Sequence, residues 1–375
     1  MSDACAWPAT PPARAFLRVE HGADVAELTA SGQCGAAVMC VRVDAAEMSA
    51  QWNRVRAASS GTGKRAARAI VARWPGGTCR VDDDGAAAAV GAAIDAAHVR
   101  EVESWRRARE GRLTADGGWL TVAGLFWLKP GVNRFGSDAS NDIVLPAHSA
   151  PASAGSFVLD GRRVSVDVSP GAAVTLAGKP VGRTAKIGKV ELKSDAGGAD
   201  PDVLAMGALT MQIIDRGERV GVRLKDMRSA ARRAFKGLRF FPIKRQLRVS
   251  ARFVPHGKPK TLDVPTVIPG VTETMTGPGV VTFDIDGKPL RLEPVIEPGS
   301  SQLFFIFRDK TAGKTTYGGG RFLYADMPQD GFVVLDFNKA YSPPCAFTAH
   351  ATCPLPPEQN RLPVAIEAGE MFAGH

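Results

Sequence analysis

No apolar run in this sequence approaches the roughly eighteen residues that a membrane-spanning helix needs, so a helical membrane span is excluded. Neither Gly-x-Ser-x-Gly nor His-Glu-x-x-His occurs, which removes the common serine-hydrolase and zinc-protease signatures. Cysteine is sparse and unevenly placed. Cys5, Cys34, Cys40 and Cys79 stand at spacings that match no zinc pattern, and only Cys345 and Cys353 occur later. Aromatics make up 7% of the residues, most of them beyond residue 100. What the chain has in quantity is 40 Gly and 26 Pro, a composition of turns and short strands, with an ordinary apolar fraction of 45%.

The net charge of +9 is not spread evenly. Residues 1–95 are neutral, with ten basic and ten acidic side chains, so the surplus belongs to 96–375. A surplus of that size attracts anions without identifying a nucleic-acid binder, and no specific nucleic acid is expected as a partner. Residues 1–95 are rich in Ala, lack sustained apolar periodicity and carry three consecutive Asp at 82–84. A disordered extension, or a start placed too far upstream or a slipped upstream reading frame, is expected in preference to a third folded domain. Asp3 and the prolines Pro8, Pro11 and Pro12 replace the charged and apolar parts of a secretory signal. As written the chain is expected in the cytoplasm, and in the periplasm if the start is misplaced.

From residue 96 the pattern changes. Val102, Trp105, Arg109 and Leu113 recur at helical spacing, which predicts a helix over His98–Leu113 ended by Asp116-Gly117-Gly118. Short strand-like runs then alternate with turns: 119–128, 142–145, 156–159, 164–168, 174–176, 209–215 and 220–224. The turn pairs Asp160-Gly161 and Ala177-Gly178 read as hairpins. Ser229–Gly237 joins this lobe (96–228) to a second (229–375). The second lobe has predicted strands at 246–254, 261–264, 279–285, 290–294, 302–308, 321–324, 332–338 and 362–367, with a further turn at Asp286-Gly287. The expected fold is mainly β: an N-terminal helix, a β-sandwich lobe, and a second antiparallel β lobe, sandwich or barrel.

Four long strings resemble the bacterial domain of unknown function 1684 family. They are Gly118–Leu128 (GWLTVAGLFWL), Asn133–Pro146 (NRFGSDASNDIVLP), Arg232–Pro242 (RRAFKGLRFFP) and Leu335–Tyr341 (LDFNKAY); the run Pro343–Ile366, with both late cysteines, completes the likeness. The resemblance spans about 97–372, implies no activity, and implies export for many relatives. Gly136-Ser137 followed by Asn141-Asp142-Ile143-Val144-Leu145 also resembles the loop of a forkhead-associated domain, a β-sandwich that binds phosphothreonine. That chemistry needs an Arg after the Gly, to make charge-assisted bonds to phosphate, and Ser137 stands there instead. The fold is expected without the phosphopeptide binding, with Asp138, Asn141 and Asp142 serving turn backbone.

Ala312-Gly313-Lys314-Thr315 matches the end of a phosphate-binding loop. Its first Gly is replaced by Arg308 and no helix is predicted to follow, so it reads as a hairpin turn. No cofactor is expected. Arg228–Arg248 holds eight Lys or Arg and no acid, either a solvated linker or an anion site. Cys345 and Cys353, with seven residues between them, read as a disulfide if the protein is exported, worth roughly 2–3 kcal/mol by the chain-entropy model, or else as paired thiols or a reactive thiol. With His350 they fall one ligand short of a structural zinc site, and no metal is expected.

The strongest candidate site is the late segment, where Arg321, Tyr324, Asp336, Asn338, Tyr341, Glu358, Asn360 and Arg361 gather polar groups around a proline-bounded loop. The competing explanation is that they hydrogen-bond irregular backbone. Two functions remain. One is a module binding a small polar or anionic ligand, or a protein, near this loop. The other is an enzyme with Glu358 or Asp336 as acid or base and Arg321 as anion clamp.

Overall fold

In the strand Arg163–Val168 the side chains of Val164, Val166 and Val168 are buried and their neighbours are less so, the two-residue period of a sheet with one face on a core. The computed structural model describes residues 95–181 and 189–372 with their side chains, and between 15 and 94 backbone elements only. Those elements are five strands, Ala15–His21, Asp24–Gly35, Val38–Val43, Ala69–Trp74 and Gly77–Val81, in one antiparallel sheet, and the first turns of helix α1 (Asp84–Thr114). The expectation of a disordered extension or misplaced start falls in part on residues outside the described set. The fold is mainly β, with one long helix followed by antiparallel sheets. No described helix is long and apolar enough to cross a membrane.

The first lobe has two sheets. One runs in the order Val190–Leu192, Arg163–Val168, Gly155–Asp160, Gly131–Gly136, Ile143–Val144. The other runs Lys179–Val181, Val174–Leu176, Val203–Met206, Leu209–Arg216, Arg219–Asp226, Val122–Trp127. Phe135, Phe157, Val164 and Val166 of the first share a core with Leu204, Met211, Ile213 and Val222 of the second. This is a β-sandwich. The hairpin at Ala177-Gly178 has both residues at positive φ, 50° and 75°, as does Asp286-Gly287 at 53° and 75°. At the first hairpin the turn falls one residue later than expected, on Gly161-Arg162, because Asp160 still pairs with Arg163. In the loop after Gly136, Asp138 accepts from the Ser140 amide, Asp142 accepts from the Arg134 amide, and Asn141 donates to Asp138 and Ala152 carbonyls. All three serve backbone.

The second lobe holds a four-stranded sheet in the order Lys288–Leu292, Thr272–Ile285, Arg248–Pro265, Phe332–Asp336, and a hairpin of Gln302–Phe307 with Arg321–Asp326. Gln302–Phe307 is apolar on both sides. Leu303, Phe305 and Phe307 enter the main core, while Phe304 and Ile306 enter a smaller cluster with Val295, Phe322 and Cys353. The two strands expected at 246–254 and 261–264 are one strand, bulged between Pro255 and Lys260. The turn Ala312–Thr315 closes through the Gly313 amide on the Thr316 carbonyl and leads to a strand, not a helix. The expected last strand, 362–367, is a correction. Pro363 has no N–H to give a ladder, and the segment runs irregularly, with Val364 accepting from the Lys310 amide and the Ile366 amide donating to Asp309 Oδ2.

Helix α1 uses the face its sequence marks. Val102 and Leu113 are fully buried, and Trp105 packs edge-on to Phe240. Its polar bonds run mainly to the second lobe: His98 to Asp336, Arg106 to the Phe241 carbonyl, Arg109 to Glu370, Glu110 to the Leu238 amide. The chain then turns at Gly118, where a Cβ would stand 2.5 Å from two carbonyl oxygens of the helix end. That close approach delivers Trp119 to the border between the lobes.

Candidate functional site

In the strand Arg219–Asp226, Val220, Val222 and Leu224 fill the sandwich core. Strand alternation therefore turns Gly221, Arg223 and Lys225 to the opposite face, toward α1 and the second lobe. There a cleft of about 1110 Å³ opens. Its walls are Trp105, Arg109 and Arg112 from α1, Arg216 and Arg223 from the sandwich, and Phe304, Tyr324 and Tyr341 from the second lobe. Trp119 and, from the late loop, Thr352 and Cys353 complete the lining.

Most charges in this cleft are spoken for. Glu101 takes Arg248 and Lys339, Arg216 takes Asp195 at 2.8 Å and Glu273 at 3.5 Å, and Arg109 takes Glu370 at 3.2 Å and the Ser342 carbonyl at 2.9 Å. Asp336 accepts from His98 at 2.8 Å. Two arginines are left over. Arg112 is exposed at the cleft mouth, and no described acid pairs with it. Arg223 is 5% exposed, lies 5.0 Å over the Trp119 ring, and has a buried Nε with no hydrogen-bond partner. Among the described residues its one polar contact is 3.5 Å from Nη2 to Thr352 Oγ1, at the outer limit of a hydrogen bond. Burial, and then the neighbouring charge of Arg216, lower its pKa to about 10, so it stays protonated at neutral pH.

The opposite wall is aromatic. Tyr324 stacks on Phe304 with centroids 4.8 Å apart, and its hydroxyl donates to Glu297 at 2.6 Å. Tyr341 lies parallel to Tyr324 at 6.4 Å, with the Arg109 guanidinium 4.6 Å over its ring. Burial raises both phenols, that of Tyr341 to about 12, so both are neutral donors. A cleft lined by a cation without a described carboxylate partner, by neutral phenols and by apolar rings is chemically a receptor for an anion with an apolar or aromatic body.

Of the eight residues the sequence singles out, Tyr324, Asp336 and Tyr341 line this cleft and the other five do not. Arg321 is 1% exposed inside the second lobe, paired with Asp309 at 2.6 Å and bonded to the Ala368 and Ile366 carbonyls. Asn338 is fully buried and exchanges bonds with the Lys244 backbone. Asn360 holds the Glu293 amide and the Glu293 and Ile306 carbonyls. Glu358 and Arg361 pair with each other at 3.0 Å on the surface, with side chains 79% and 52% exposed. Arg321, Asp336 and Glu358 therefore do not meet as an acid, base and clamp. Of the basic connector, only Arg248 reaches the cleft; Arg232, Lys244 and Arg245 pair with Asp116, Glu367 and Asp95. Its Phe240 packs against Trp105 and its Phe241 is buried. Cys345 and Cys353 approach to 2.6 Å as free thiols, so the expected pairing is present as proximity and not as a bond. Sequence reasoning missed Arg112, Trp119, Arg216 and Arg223. The signal for Arg223 was present, as a charge on the alternate face of an apolar strand.

Residues 233–371 match the model of a family described as protein of unknown function (DUF1684), which covers most of the second lobe and the late segment. Among solved structures, the solution structure of an uncharacterised protein of Haloarcula marismortui is 36% identical, over 37% of this chain and 78% of that one, with a TM-score of 0.33. The FhaA FHA domain, solved with the intracellular domain of a partner, is 16% identical over 27% of this chain and 97% of its own, with a TM-score of 0.18. An FHA domain from a study of phosphothreonine-dependent interactions is likewise 16% identical, over 27% and 92%, with a TM-score of 0.18. No curated protein matches.

Proposed function

Because the chain belongs to the DUF1684 family, which brings no activity with it, we propose from the cleft alone that the protein binds a small anionic ligand between its lobes. The observation that carries this reading is Arg223, buried without a carboxylate partner in a cleft where the neighbouring buried arginine, Arg109, has one. Burying a charge without a counter-charge costs several kcal/mol, roughly, unless something else satisfies it. A carboxylate or phosphate oxygen entering the cleft would supply the guanidinium with the counter-charge it lacks. Arg112 at the mouth adds long-range attraction. The phenol of Tyr341 and the ring of Trp119 supply the apolar and hydrogen-bonding surface for the rest of the ligand. A concave site of this kind favours a small molecule over a protein.

The test is a titration of the full chain with inorganic phosphate and a panel of mono- and dicarboxylates, followed by tryptophan fluorescence and by the shift in thermal midpoint. Trp119 stacks on Arg223, so an anion at the guanidinium is expected to change the emission saturably and to raise the midpoint by mass action. The response weakens as salt is added. Arg223→Met abolishes it, whereas Glu358→Gln, on the surface outside the cleft, leaves it intact. An equal response in Arg223→Met and wild type would discard the reading.

A further inference from the structure

The late loop brings one thiol, Cys353, to the wall of the same cleft and holds Cys345 against it. The turn Pro344–Ala346 presents Cys345, whose backbone N–H donates to the Cys353 sulfur at 3.1 Å. Cys353 is buried in the cleft wall beside Thr352, and Cys345 is half-buried. Arg223 reaches Thr352 at 3.5 Å, which places its charge within range of both sulfurs. The adjoining Cys353 side chain, with backbone N–H groups and Arg223, holds the Cys345 thiol below its ordinary value despite burial. The Cys345 side chain together with burial pushes the Cys353 thiol up. The two sulfurs are thus unlike in access: Cys345 is half-buried and Cys353 is buried.

We propose that Cys345 and Cys353 form a redox-active dithiol that exchanges with a small disulfide bearing carboxylate groups. The Cys345 thiolate attacks one sulfur of the incoming disulfide, forming a mixed disulfide and expelling the other half as a thiolate. The Cys353 proton passes to that thiolate through solvent. The Cys353 sulfur then attacks the Cys345 sulfur, closes the intramolecular disulfide and expels the second half, which takes up a proton from water. Two thiols of the protein are oxidised by two electrons and one small disulfide is reduced to two small thiols. Two free thiols side by side in one short loop, with the Cys345 N–H on the Cys353 sulfur, make ring closure local. The cation beside the pair stabilises the attacking thiolate and favours a negatively charged partner over a positively charged one. The preference for carboxylates rests on the anion-binding reading of the cleft; the exchange itself does not.

The experiment incubates the full reduced chain with oxidised glutathione, which is anionic, or with cystamine, which is cationic, and follows intact mass after acid quenching. Peptide mapping then separates the late pair from Cys5, Cys34, Cys40 and Cys79. Wild type is expected to lose two hydrogens at the Cys345–Cys353 peptide, about tenfold faster with the anionic disulfide. Cys353→Ser is expected to stop at the mixed disulfide on Cys345. Thermal unfolding of each variant checks that it is folded, and iodoacetamide labelling of wild type provides a second readout, with Cys345 reacting before Cys353. Failure of both small disulfides to oxidise the late pair, or labelling of Cys353 ahead of Cys345, overturns the dithiol. Oxidation by both at equal rates leaves the exchange standing and removes its link to the anion cleft. Anion binding without any oxidation separates the failures the other way.

Discussion

Arg321 and Arg223 are both buried arginines, at 1% and 5% exposure, and they sit in opposite surroundings. Arg321 lies in a closed region of the second lobe. Its guanidinium is matched by Asp309 and two backbone carbonyls, and Asp309 in turn holds the Thr311 and Ile366 amides. Arg223 lies in an open region with one marginal bond, an orphan Nε and a tryptophan face. A satisfied buried charge organises the chain around it; an unsatisfied one is poised for something that arrives from outside. Composition does not distinguish the two, since both are arginines on β-strands near aromatic rings. Partners do.

The largest effect is expected where partners are most complete. Arg321→Met leaves the Asp309 carboxylate buried without its cation, which costs about 3–5 kcal/mol. Equilibrium denaturation read by circular dichroism checks this, and a loss below about 1 kcal/mol would erase the contrast between the two regions.

The pair of His98 and Asp336 comes next. It ties α1 to the second lobe, with both side chains under a tenth exposed. Burial pushes the Asp336 carboxyl up, but the bond and charge of His98, helped by Asn338 and Lys339, reverse this and hold it below the ordinary value. A carboxyl depressed in the folded state contributes stability that is present above its unfolded pKa, about 3.9. That contribution is lost as pH falls through the lower folded value. His98→Ala is expected to cost about 2–3 kcal/mol near neutrality, since Asn338 still bonds the other carboxylate oxygen. The variant should also lose less further stability than wild type between pH 4 and pH 2. Parallel acid titrations of the two proteins would contradict the assignment.

The fold was largely legible in the sequence, because strand alternation and turn chemistry are local signals. The runs 164–168, 209–215 and 220–224 appear as strands within one or two residues of their expected bounds. Strands such as Lys179–Val181 and Val203–Met206 went unread because runs of three or four residues are too short to show a period. The site was less legible. A cluster of polar residues in a proline-bounded loop looks alike whether it meets a ligand or its own backbone, and Arg321, Asn338 and Asn360 meet backbone or a buried acid. The cleft depends on contacts between positions more than a hundred residues apart, such as Arg223 with Thr352 and Arg109 with Glu370. No local pattern encodes which lobe α1 will pack on.

The smallest stability effect is expected at Arg223, and it sharpens the comparison most. Arg223→Met removes a buried charge that lacks a counter-charge and keeps most of the side-chain volume. What is lost is a 3.5 Å contact to Thr352, the packing on Trp119 and attraction to Asp195, and what is relieved is repulsion from Arg216 and the cost of burial. These terms nearly cancel, so the unfolding free energy should stay within about 1 kcal/mol of wild type, against a loss several times larger for the same change at Arg321. Binding should behave in reverse, with the anion response gone in Arg223→Met and retained in a folded Arg321→Met measured below its lowered midpoint. A side chain whose removal spares the fold and silences the titration belongs to the ligand. If Arg223→Met instead destabilises as much as Arg321→Met, Arg223 is a structural member of the border between the lobes.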